Sequence, residues 1–362
     1  VTALDVFEGR SQRFESCRFD LYHVNGRRLG ELMIDRDQPP RITNDTSRTL
    51  RRTLDDLRIL SRPLVDQDEQ HIYADEYTSI VSRVHAFWLI DIGGTLSEYP
   101  LGVFLFANDS TTRTTAEDIR TSQLVDQCAL LDQPLDQSLG FSAGQSITAA
   151  LHVLADLAGV PLERRKIEAS SAKFGAQVAW TPGRDTFLTA MESCCLAAGF
   201  LPAYFDNSGF LVCRSAPDIE HDAVDYHYGL NTVVIDGSIT MTQDQLVAPN
   251  RYVVIGGNTE APIIGIYDVP DSAPHSFVNT GVRRRRTTDV QGIGDTATAT
   301  SAAYTSYVAD RASYVWLSFD TPVDPRHDTW DVIDFDGDRL VQTAWSLVCR
   351  HGSTMQHTCR GL

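Results

Sequence analysis

Apolar and polar positions divide the chain into two strand-rich stretches around one compact helical stretch. After Ser146 the apolar residues Ile147, Leu151, Leu154 and Ala158 recur at helical spacing, which predicts one buried helix face. Gly159 supplies a left-handed stop and Pro161 prevents continuation. Residues 177–180 have strand composition. Thr181 is placed to cap a second helix with Pro182 at its first position. Phe187, Ala190, Met191, Cys194 and Ala198 make its buried face, and Gly199 ends it. Two short strands, 201–205 and 210–213, flank the hairpin turn Asp206-Asn207-Ser208-Gly209.

The flanks read as strands. Residues 18–24 alternate, and Asn25-Gly26 turns them into 29–34. The stretch 46–60 is ambiguous: Leu50, Leu54 and Leu57 have helical spacing, whereas Thr49, Thr53 and Ile59 suit a strand. Residues 66–70 form an acidic loop. The apolar runs 84–92 and 101–107, separated by Gly93-Gly94-Thr95, predict a strand pair buried in part on both faces. Beyond a linker at 216–228, Asp236-Gly237 predicts a hairpin between 231–236 and 238–242. Residues 250–257 read as a strand and 300–316 as a helix. Strands follow at 316–321, 329–335 and 340–349, with turns at Asp324-Pro325 and Asp336-Gly337.

This order resembles the tail hub proteins of bacteriophages, the family that also forms baseplate hubs in contractile tails. The helical unit carries Gly144-Gln145-Ser146-Ile147, Leu157-Ala158-Gly159-Val160-Pro161, the run Ala179 through Leu188, Ala198-Gly199-Phe200 and Phe205 through Val212. Before it stands Pro100-Leu101-Gly102. After it come Asn250 through Asn258 and Asp324 through Ile333. The likeness spans roughly residues 15–350. It implies an α+β, mainly β chain: two related β-barrel or sandwich domains, 1–143 and 223–362, bracketing a small α/β insertion domain, 144–222. It favours a strand at 46–60. In function it implies a structural virion protein, assembled in the host bacterial cytoplasm and located in the tail. The expected form is a homotrimer that caps the tail tube, adapts three-fold to six-fold symmetry and opens for DNA passage. The implied partners are a distal tail or tube ring protein, the tape-measure protein and tail fibre or tip proteins. The competing readings are a cell-wall carbohydrate hydrolase and a receptor-binding tail protein.

Charge sharpens this picture. The 362 residues carry a formal net charge of −17, which opposes tight nucleic-acid binding and suits a wall past which DNA slides without sticking. No run is long and apolar enough to span a membrane, so no insertion by this chain is expected. Residues 1–13 are polar and of mixed charge, unlike a secretory signal. Of the seven cysteines, Cys128, Cys194, Cys195 and Cys213 lie in apolar runs that suit buried, reduced thiols.

No standard catalytic signature is present, and no catalytic residue or cofactor is expected. Four groups still have chemical potential. Arg283, Arg284, Arg285 and Arg286 could grip nucleic acid, but the net charge opposes DNA, and contact with an acidic surface on a neighbouring subunit is the expectation. A hairpin turning at Thr354 would place Cys349 opposite Cys359 and His351 opposite His357, a possible zinc set or, for the cysteines, a disulfide; frayed terminal residues are the expectation. Asp334 to Asp338 lacks the glycine and glutamate of a calcium loop and reads as a hairpin. Asp324, Asp328, Asp331, Asp334, Asp336 and Asp338 would supply the acid/base pair of the hydrolase reading, but they alternate faces on a twisting strand, and solvated turn carboxylates are the expectation.

Overall fold

The computed structural model describes residues 14–60, 64–65, 71–72, 82–113, 118–230, 232–243, 248–257, 262–310 and 315–361. The acidic loop expected at 66–70 lies outside them. Strand β1 (Phe14–His23) turns through Asn25-Gly26 into β2 (Arg28–Glu31). Then come β3 (Arg41–Asp45) and β4 (Arg52–Leu60). The helix-like spacing of Leu54 and Leu57 has a local cause. A bulge between them, with Asp56 at φ +59°, resets the alternation, so both leucines and Ile59 are buried. Strands β5 (Ser82–Ile92) and β6 (Thr95–Arg113) form the expected hairpin over Gly93-Gly94, and β7 (Asp118–Asp126) pairs with β6.

In the helical unit, α1 (Ile147–Leu157) is capped by Ser146 and buries Ile147, Leu151 and Leu154. The second helix starts later than the sequence suggests. Helix α2 (Phe187–Ala198) is capped by Thr186, which exchanges hydrogen bonds with Thr189 in a capping box. Thr181 instead opens a turn, its N–H donating to the Asp185 carboxylate at 2.8 Å. Gly159 and Gly199, both with positive φ, end the helices as expected. The 204–213 hairpin forms around Asp206, whose Oδ1 accepts the N–H groups of Ser208 and Phe210.

The last third holds β8 (Tyr226–Tyr228), β9 (Thr240–Gln243), β10 (Arg251–Gly257), β11 (Pro262–Asp268) and β12 (Arg285–Asp289). Helix α3 (Thr296–Ala309) follows, capped by Asp295. It starts and ends before the predicted 300–316, because Asp310 leaves the helix to bond Tyr252 and Arg286. Next are β13 (Val315–Pro322), β14 (Val332–Phe335), β15 (Asp338–Val348) and β16 (Thr354–Gly361). The hairpin expected across Asp236-Gly237 does not form between its two arms; β9 pairs with β13 instead. Asp336-Gly337 does form a tight turn between β14 and β15, both residues at positive φ.

One antiparallel ladder runs β9-β13-β16-β15-β3-β4-β7-β6-β5-β1-β2, with β14 added antiparallel on β15 and β8 parallel on β14. The first and last thirds of the chain therefore share a sheet. The joint is β15 against β3, from Ala344 opposite Asp45 to Val348 opposite Arg41. Among the described residues no sheet closes into a barrel. The cores cross the chain in the same way. Trp345, Leu347 and Met355 fill the interior of the N-terminal sheet with Phe19, Leu54 and Trp88. Tyr252, Val254, Ala299 and Ala303 join the core of α1 and α2.

Candidate functional site: an assembly face and a buried three-way junction

The arginine run sits at the edge of a small sheet, β11-β10-β12, in which β12 runs parallel to β10. Its inner face packs on α3. Gly265 lies so close to that helix that a Cβ would stand 2.0 Å from the Ala299 carbonyl carbon. The outer face is apolar: Ile264 and Ile266 are exposed, 46% and 43%, opposite the half-buried Ile255 and Val253. The arginines divide their roles. Arg286 pairs with the buried Asp310, and Arg283 lies 4.5 Å over the Phe277 ring. The carbonyl of Arg284 accepts the N–H groups of Asn250 and Arg251. Arg283 and Arg285 are exposed. The Arg251–Asp268 ion pair borders the same end of the sheet. An apolar centre with a basic margin has the composition of a protein-binding face.

The second feature is internal. Arg51 and Arg52 are 4% and 2% exposed. Arg51 donates to the Pro202 carbonyl and stacks over Tyr204 of the insertion. Arg52 pairs with Asp328 at 3.0 Å, and its N–H donates to Asp126. Asn44 also donates to Asp328. Gly102 of the Pro-Leu-Gly motif makes room for this arginine: at φ +144° its Cβ would stand 2.8 Å from Arg52 Cδ. The hairpin tip of the insertion closes the group. Asn207 donates to the His327 carbonyl and Gln127 to the Gly209 carbonyl. All three parts of the chain thus meet around Arg52 and Asp328. Burial pushes the Asp328 carboxyl up to about 6, against the pull of Arg52.

A histidine network backs the junction. Tyr228 hydroxyl and His327 Nε2 are 2.7 Å apart, and Tyr226 stacks on His327 at 3.7 Å. His357 is wholly buried between Thr321 Oγ1 and Gln342 Oε1, and burial holds it well below its ordinary value, hence neutral.

These contacts dispose of two sequence readings. The β15–β16 hairpin is in a different register from the predicted one: Leu347 faces Met355, so His357 lies opposite Trp345 and Cys359 opposite Gln342. Cys349 and His351 sit instead in the turn against β1, and the four residues do not converge on a zinc site. The Cys349–Cys359 disulfide falls for the same reason. Nor are they frayed, since β16 lies inside the large sheet. The acidic series is likewise not a row of solvated turn groups. Asp324 pairs with Arg326, Asp328 with Arg52, and Asp331 accepts from the Asp328 N–H beside His327. Only Asp336 and Asp338 stand exposed. The pairings of Asp324, Asp328 and Asp331 are structural. Sequence reasoning missed Arg51, Arg52 and Asp126; the glycine of Pro-Leu-Gly was the available signal.

No family model matches the sequence, and no curated protein matches it. Solved structures do. A tail protein from Neisseria meningitidis superimposes with a TM-score of 0.59 at 12% identity, over 95% of this chain and 96% of that one. The 43 kDa tail protein of prophage MuSo2 from Shewanella oneidensis gives 0.58 at 11%, over 95% and 98%. Prophage tail protein gp18 from Listeria monocytogenes gives 0.56 at 10%, over 95% and 94%. The fold is that of phage tail proteins.

Proposed function

We propose that this chain is a structural component of a phage tail, the trimeric hub at its distal end. The supporting observation is the bracketed architecture: both thirds of the chain build one sheet around the helical insertion, and the tail proteins above match it along nearly their whole length. In this reading the β-rich parts, 1–143 and 223–362, present six similar units per trimer to a six-fold ring, with the unit at 144–222 as spacer. The hub caps the tube, anchors fibres or a tip, and opens for the tape-measure protein and DNA. Its net charge of −17 keeps the lumen from binding phosphate. The role is mechanical, without a catalytic residue or cofactor.

Arg283 and Arg285, at the margin of the apolar β10–β11 face, contact carboxylates on a neighbouring tail protein. The run as a whole, Arg283 to Arg286, divides between holding this sheet and meeting the partner. The direct test is purification of the full chain followed by mass determination in solution. A trimer, or a ring containing three copies, supports the reading; a monomer at all concentrations, with or without tube protein, rejects it.

A further inference from the structure

We propose that Cys17 and Cys349 form a redox-sensitive disulfide that ties the first described strand to the last hairpin. Cys17 lies on β1 and Cys349 directly after β15, and the two side chains line the same cleft and pack in the same core cluster. The segments that carry them are held together on either side. The Glu15 N–H donates to His351 Nδ1 at 3.2 Å, the Gly352 N–H donates to Glu15 Oε2 at 3.4 Å, and the Phe14 and His351 rings stack at 6.1 Å. The backbone of Cys349 is fixed by its own N–H to the Pro40 carbonyl.

Access distinguishes this pair. Both cysteines line an open cleft of about 560 Å³, with Glu31, Met33, Arg36 and Arg350 also on its walls; Cys17 is half-buried and is the thiol reached first, while Cys349 lies behind it at 6% exposure. A second pair of cysteines, Cys195 and Cys213, is sealed in one core cluster at 0% exposure each. It therefore serves as an internal control. Burial, the neighbouring thiol and the Glu15 carboxylate hold the Cys17 thiol well above its ordinary value, so exchange is slow at neutral pH and speeds up in base.

The oxidant is a small-molecule disulfide, RSSR. The Cys17 thiolate attacks one of its sulfurs, forming a mixed disulfide and releasing RS⁻. The Cys349 thiolate then attacks Cys17 Sγ, breaking the mixed bond and releasing the second RS⁻. The two thiol protons finish on two RSH, and the two electrons lost by the protein reduce RSSR. A reducing cytosol keeps the dithiol, and an oxidising medium closes it. Because the loop it closes takes in nearly the whole described chain, the bond restricts the unfolded state strongly and raises Tm.

The test uses the full chain, treated with glutathione disulfide or with dithiothreitol, and non-reducing peptide mass mapping. The expected result is a Cys17–Cys349 linked peptide, Cys195 and Cys213 still alkylatable as free thiols after unfolding, and a Tm increase that dithiothreitol reverses. Cys17→Ser and Cys349→Ser each abolish the linked peptide and the increase. Glutathione retained on Cys17 with Cys349 free, cross-links between copies, or a linked peptide without a rise in Tm would overturn the proposal. The wild-type mapping decides the matter even where a serine variant fails to fold.

Discussion

At the scale of single residues, the Arg52–Asp328 pair dominates. Truncating the buried Arg52 leaves the half-buried Asp328 carboxylate without its cation, which costs about 3 kcal/mol, the low end for a fully buried pair. Chemical denaturation of Arg52→Ala at neutral pH should show that loss, and the deficit should shrink at pH 5. The sign follows from Asp328: its folded value is already raised to about 6, so the folded variant takes up a proton before the unfolded chain does, and acid relieves the penalty. His357 acts in the opposite sense. Its folded value is depressed, as are those of His85 and His275, both pushed down to about 4 by burial. The unfolded chain protonates first, so these groups withdraw stability as pH falls below roughly 6.5. His357→Gln, which keeps a hydrogen-bonding side chain, should flatten the decline between pH 6.5 and 5 in a denaturation series. An unchanged slope would exclude His357 as a contributor.

At the scale of elements, what the sequence showed depended on whether local chemistry settled the matter. The helix stops at Gly159 and Gly199 and the turns at Asn25-Gly26, Gly93-Gly94, Asp206–Gly209 and Asp336-Gly337 needed only nearby residues, and they stand where expected. Thr181 failed as a cap because Thr186, with Thr189 three residues on, offers a reciprocal pair. The bulge in β4 was hidden because one extra residue mimics helical spacing. The β15–β16 register was misplaced because symmetric Cys and His positions say nothing of where a turn lies, whereas the β15–β3 joint does. The junction itself was unreadable, since Arg51, Asp126, Asn207 and Asp328 meet only after the sheet forms. One element-level prediction follows from Gly265, whose missing side chain lets β11 lie on α3. Gly265→Val should cost at least about 3 kcal/mol by thermal denaturation, because backbone has to move, against about 1–3 kcal/mol for ordinary overpacking.

For the whole molecule, the shared sheet makes the first and last thirds one mechanical body, with the insertion hairpin pinned between them through Asn207 and Gln127. In the proposed reading, partner contact falls to a face that the fold leaves open, the β10–β11 surface with Arg283 and Arg285. The double variant Arg283→Glu/Arg285→Glu should weaken association with tail-tube or neighbouring subunits while leaving Tm within about 1 °C, as expected for exposed side chains. Added salt should weaken the wild-type association in the same direction. The fold was legible from sequence mainly through the ordered motifs of the helical unit; the sharing of one sheet by both ends was not, because no local pattern encodes a contact between residue 45 and residue 344.

The most direct measurement is the rotational symmetry of density around this chain in an assembled tail, obtained by electron cryomicroscopy. The account predicts three copies in a ring, each giving two β-rich units that face a six-fold neighbour. A single copy, a six-fold ring of whole chains, or a position away from the tube axis would contradict it.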